Sequence, residues 1–210
     1  MHIADGVLSA PVLASGSLLA VGGLAVGLRR LPWQRIMGVA MLSSAFFAAS
    51  LIHIRLGAGS AHLILNGLLG AMLGWACVPA IFIALLFQCL LFQFGGLATL
   101  GVNTCILAGP ALLLGLVCRP WFGIARYRSF AAFCCGALAV AGSAALGALA
   151  LILSGEAFAV SAAALLAGHL PLMLIEGLIT MVAVNFLVRV RPDLLSGGEI
   201  RPESAEREPA

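Results

Sequence analysis

The chain has 210 residues, 62% of them apolar and only 9% charged, with a net charge of +3. Soluble domains carry about 25% charged residues, so this deficit, with apolar runs of about twenty residues, excludes a soluble globule and implies an all-α polytopic membrane protein. All eleven basic residues are arginine, which excludes a P-loop ATPase and a Schiff-base lysine enzyme; apart from Arg201 and Arg207 near the end of the chain they sit at the ends of apolar runs and in the short loops between them, which marks topology rather than a nucleic-acid surface.

In chain order, "MHIADGVLSAP" precedes the first apolar run without a basic cluster, so residues 1–10 read as a loop and not as the start of a signal peptide. Arg29, Arg30 and Arg35 follow that run, which puts the N-terminus outside the cytoplasm. Two further clusters, Arg119/Arg126/Arg128 and Arg189/Arg191, must then be separated from it by even numbers of crossings if all three face the cytoplasm. The apolar segments that satisfy this parity are 11–28, 36–53, 62–78, 80–95, 103–118, 130–153 and 163–188, a seven-transmembrane-helix bundle with a cytoplasmic C-terminus. Between the third and fourth spans only "WACVPA", with Pro79, signals a turn; Arg55 is the one basic residue assigned to an outer loop. Residues 1–195 form a single membrane domain, and the polar, mixed-charge stretch 196–210 reads as a disordered cytoplasmic tail. The six cysteines include no C-x-x-C pair and read as small core residues. Gly23/Gly27 and Ala137/Ala141/Ala145 repeat at i, i+4, a spacing that lets helices approach closely within the bundle.

The opening dipeptide carries chemistry. The α-amine of Met1, the amide nitrogen of His2 and the His2 Nδ1 can reach one metal ion, closing a five- and a six-membered chelate ring. A deprotonated amide is a strong-field donor, and one further imidazole completes a square-planar nitrogen set suited to Ni(II) or Cu(II), with Co(II) admissible. Three other histidines exist. His62 and His53 both fall at the outer ends of predicted spans, on the side of the N-terminus, and spacing does not choose between them. His169 begins deeper in the seventh span, seven residues before Glu176, so the two share a helical face. Ionisable residues within a span are functional candidates; for this pair a structural polar contact and a role in coupling both stand. Asn66, Gln88, Gln93, Asn103 and Thr104 read as interior hydrogen-bonders, and Asn66, Gln93 and Asn103 fall in the outer half, where an amide could orient a ligating imidazole. Asp5 reads as an anchor for the N-terminal loop, and "GGLATLG" as a tight outer loop packed near it. An intramembrane enzyme is the reading from another class, but no H-E-x-x-H occurs and His169/Glu176 lack a third catalytic partner.

"MHIADGVLS", "GSAHLILNGLLGAMLGW", "FQFGGLATLGVNT" and "HLPLMLIEGLITMVAVNFL" resemble, in this order, segments of the metal-binding membrane (S) components of energy-coupling-factor cobalt/nickel transporters, the CbiM/NikM family. The resemblance runs to about residue 195. It implies seven helices and an N-terminal segment tucked into the bundle from outside. It also implies a metal site made by the Met1 amine, the His2 amide and imidazole, and the histidine of the "AHL" segment, which selects His62 over His53. Such a protein is the substrate-capture subunit of an ABC-type importer of Ni(II) or Co(II), with no catalysis of its own. It sits in the bilayer of a bacterial plasma membrane, and its partners are a transmembrane coupling (T) subunit, ABC ATPase subunits and often a small companion membrane subunit. An S component for an organic micronutrient remains the alternative, but one Tyr and three Trp leave little with which to build an aromatic pocket.

Overall fold

The structure is a computed structural model describing residues 3–56, 59–191 and 195, with the side chains of 53–61 and 156 outside the description. The described residues form seven α-helices and one two-stranded hairpin: α1 Ala10–Arg29, α2 Ile36–Ser50, β1 His53–Leu56, β2 Gly59–His62, α3 Asn66–Leu73, α4 Cys77–Phe92, α5 Leu100–Phe122, α6 Ala125–Ser154 and α7 Ala159–Val190. The architecture is thus a helical membrane bundle with a small β-hairpin at one end. By length and composition five helical stretches can cross a membrane: 10–29, 66–92, 100–122, 125–154 and 159–190.

The stretch 66–92 is not one straight rod. Gly74 takes φ +55°, a conformation that favours glycine, and breaks α3 from α4. The sequence placed this turn at Pro79, but Pro79 lies in the first turn of α4, where a missing N–H costs nothing. The chain reverses at the break, because α3 runs alongside α5 whereas α4 leads back to the start of α5. Asn66 meets Leu107, and Ala71 meets Arg119 near the other end of α5. The expected helical span 62–78 is therefore corrected: its helix is only eight residues, about 12 Å at 1.5 Å per residue, and His62 sits in a strand. The span expected over 36–53 ends as helix at Ser50, and His53 opens the hairpin.

Side-chain contacts give the remaining helix directions. Ser43 donates to the Ala80 carbonyl at 2.7 Å and Gln88 to Ser50 at 2.6 Å, so α2 and α4 run the same way. Gly142 and Gly109 of α6 and α5 abut Pro110 and Leu146, Gly136 of α6 abuts the Glu176 backbone of α7, and Asn185 of α7 donates to Ser129 of α6 at 3.0 Å, so α5, α6 and α7 alternate. Consequently Arg30, Arg35 and Arg119 gather at one end. The Arg30 guanidinium stands 5.0 Å from the Trp75 ring centroid, and Arg35 and Arg119 donate to the carbonyls of Met72 and Ala71.

The core is made of small and branched residues on α3–α7, among them the fully buried Leu69, Ile81, Leu85, Leu107 and Leu172. Gly23 and Gly27 pack onto Val78 and Pro79 of α4, as their spacing suggests. On α6 Ala137 is buried, Ala141 half-buried and Ala145 exposed, and the continuous buried line runs through Ala132, Gly136, Val140 and Ala144. All six cysteines are free thiols, with Cys77, Cys118 and Cys135 buried. Leu18, Leu170, Leu174 and Phe186 project from the bundle, each at least 60% exposed, as side chains facing lipid do.

Candidate metal centre

The N-terminal segment is clamped into the bundle at the end opposite the arginines. Ile3 is buried, and Asn103 of α5 grips its backbone from both sides: the Ile3 N–H donates to Asn103 Oδ1 at 3.1 Å, and Asn103 Nδ2 donates to the Ile3 carbonyl at 3.0 Å. Thr99 Oγ1 donates to the same carbonyl at 2.9 Å, and the Thr99 N–H donates to Asp5 Oδ1 at 3.1 Å. The Asp5 carboxylate occupies the space where a side chain on Gly96 would stand, so the "GGLATLG" loop is shaped to admit it. Further along, the Ser9 N–H donates to Ser154 Oγ at 3.1 Å. Each bond contributes about 1 kcal/mol net, but their joint effect is positional: residues 3–9 have one place to lie.

The second half of the site comes from the chain after β2. His62 is 8% exposed, and its Nδ1 stands 3.1 Å from the Leu63 carbonyl, to which it can only donate, so a neutral ring here keeps its lone pair on Nε2. Ile64 and Leu65 donate their N–H groups to the Glu176 carboxylate of α7. Asn66, fully buried, donates to the Leu107 carbonyl at 3.1 Å and to Ser143 Oγ at 2.9 Å.

These two halves are registered on the same face of α5. Asn103 holds Ile3 and Leu107 holds Asn66, positions one turn apart, or about 6 Å along the axis. Helix α7 registers them a second time. A cavity of about 310 Å³ is lined by Ile3, Ala4, Asn103, Leu151, Ser161 and Leu165, and Glu176 holds Ile64 and Leu65 farther down α7. Between these levels lies His169, 7% exposed, its Nδ1–H donating to the Leu165 carbonyl at 2.7 Å.

Met1 and His2 lie outside the described residues, as does the side chain of His53. The hairpin backbone pairs His53 directly opposite His62. Asn66 and Asn103 are interior hydrogen-bonders as expected, but their bonds run to helix and N-terminal backbone and to the hydroxyls of Ser143 and Thr99 rather than to the His62 ring. Gln93 is a correction: it is exposed and caps α4 at φ +57°, because the chain needs a left-handed residue there to turn into the 93–99 loop. Residues His169 and Glu176 are both buried, each bonding a different backbone segment rather than the other. Thr99 and Ser154 escaped the sequence reading; Thr99 lies in the quoted "GGLATLG" loop, but a single hydroxyl there carries no signal of its target. Among the described residues no group of three or more His, Cys, Asp or Glu side chains comes together to hold a metal.

Comparison with known proteins gives the family and the fold. A protein of Haemophilus influenzae named as a metal transport protein is 39% identical over 204 residues, covering 95% of this chain and 98% of that one. A protein of Archaeoglobus fulgidus named as a fused nickel transport protein, NikMN, is 30% identical, covering 93% of this chain and 68% of that one. The crystal structure of a transition metal transporter superposes with a TM-score of 0.75 over 90% of this chain and 93% of that chain at 24% identity, which establishes the shared fold. The model of the CbiM family, described as the cobalt uptake substrate-specific transmembrane region, matches residues 2–194. This chain is a member of the CbiM family, a multi-pass membrane component of cobalt or nickel uptake.

Proposed function

We propose that the protein captures Ni(II) or Co(II) at the extracytoplasmic end of the bundle through the Met1 amine, the His2 amide nitrogen and Nδ1, and the His62 imidazole. The observation that carries this reading is the two-sided grip of Asn103 on the Ile3 backbone. Residues bonded to a pinned Ile3 are held within about two Cα steps, or 7.6 Å, of it. That is close to the α5 turn that orders the His62–Asn66 segment.

The chemistry fits the cargo. Four nitrogens in one plane suit a divalent ion of the later first transition row. Binding displaces the amide proton and needs a neutral imidazole, so affinity falls as pH falls. In this reading the chain crosses the membrane seven times, the arginine-rich end faces the cytoplasm, and the membrane is the plasma membrane. Energy comes from partner ATPases through a transmembrane coupling subunit, since the chain lacks the lysine of a P-loop. The name of the fused Archaeoglobus relative supports a companion subunit.

The test is Ni(II) and Co(II) binding by purified protein, tagged at its C-terminus. Stoichiometric binding is expected to vanish in His2→Ala and in a version with residues added ahead of Met1. Undiminished binding by the extended protein would refute the chelate.

A further inference from the structure

Glu176 lies midway along α7, is 1% exposed, and directs its carboxylate entirely at another segment. Oε1 accepts the N–H groups of Ile64 and, at 3.0 Å, of Leu65; Oε2 accepts Leu65 at 2.9 Å. A carboxylate at this depth is costly unless its oxygens are filled by donors, and here they are filled by the two residues that lead from His62 into α3. Leu65 is the N-cap of α3 and takes φ +52°, an uncommon conformation for a bulky side chain, without a local side-chain cap. A helix start of this kind is ordinarily held by its own Ser, Thr, Asp or Asn; here the holding group is supplied by α7. The other end of α3 is held in complementary fashion, with Arg119 donating to the Ala71 carbonyl at 3.2 and 3.0 Å. Negative charge at the N-terminus and positive charge at the C-terminus match the dipole of this eight-residue helix.

We propose that Glu176 is the positioning residue of the metal site: it locks the turn from His62 to Leu65, and so sets where the His62 imidazole stands relative to the N-terminal nitrogens. This rests on His62 being a ligand. Glu176 acts through that ligand and does not touch the ion, because its oxygens are engaged by backbone amides. The two residues it holds, Ile64 and Leu65, lie two and three positions after His62, and the imidazole itself bonds the carbonyl of the intervening Leu63, within the same turn. Displacing that turn therefore displaces the ring.

The experiment is a Ni(II) titration of full-length protein in detergent, read by affinity and by the visible absorption spectrum of the bound ion. His62→Ala and the N-terminally extended protein serve as references. Glu176→Ala is expected to bind about tenfold more weakly or worse, the range seen when a group that orients a ligand is removed, and its spectrum should move toward that of His62→Ala. Glu176→Gln retains a carbonyl oxygen as acceptor and should fall between Glu176→Ala and the unmodified protein in both readouts. A folded Glu176→Ala with unchanged affinity and spectrum, beside a His62→Ala that has lost both, overturns the role of Glu176 and leaves the chelate standing. References that bind as the unmodified protein does would overturn the chelate itself. If Glu176→Ala does not fold, Glu176→Gln decides: an unchanged spectrum and affinity overturns the proposal, and an intermediate value of each supports it.

Discussion

Asn103 is the residue on which the N-terminal segment turns. Its amide satisfies both backbone groups of Ile3, the oxygen accepting the N–H and the nitrogen donating to the carbonyl. Asn103→Ala leaves a buried N–H unpaired, at a cost of about 1–3 kcal/mol, and is expected to weaken Ni(II) binding at least as much as it lowers the thermal midpoint; isothermal titration beside a melting curve checks both. Position 103 was legible in the sequence because a carboxamide inside an apolar run needs a partner. Its target was not legible, since the partner is main chain a hundred residues away. The same gap explains Gln93, whose exposed place at the end of α4 reflects the backbone turn there rather than its polarity. His53 and His62 could not be separated by spacing, and the hairpin register shows why: the backbone sets them directly across from each other.

At the scale of elements, α3 departs most from expectation. Apolar composition announces a membrane passage but does not say how much of it is helical. Here only Asn66–Leu73 is α-helix, preceded by extended chain whose amides go to Glu176. The turn that follows depends on Gly74, whose added Cβ would also stand 3.3 Å from the Arg119 guanidinium. Gly74→Ala should therefore destabilise the protein by about 1–3 kcal/mol, the cost of a non-glycine residue in such a backbone region, visible as a lower melting temperature in detergent. Gly115→Ala is a useful comparison, since its Cβ would overlap the Gly70 backbone and push α3 off α5 without touching the turn.

For the whole molecule, the arginine clusters read from the sequence do collect at one end, because helix directions alternate and Arg30, Arg35 and Arg119 all reach the α3–α4 break. The proposed orientation predicts that a fluorescent protein inserted after Gly123, between α5 and α6, matures in the cytoplasm. Alkaline phosphatase fused after Gly155, between α6 and α7, should be active only outside it. The reverse pattern would invert the topology. The broad apolar exterior followed from composition; the hairpin did not, since the polar–apolar alternation of "HIRL" runs for only four residues and the facing "GSAH" holds almost no apolar side chains.

The carboxylates that hold the two halves of the proposed site, those of Asp5 and Glu176, are each bonded to backbone amides, which leaves nitrogen as the ligand to an arriving dication. Electroneutrality must then be approached by shedding hydrogen ions from the chelating nitrogens themselves, so that loading the cargo and expelling protons into the surrounding medium become one event.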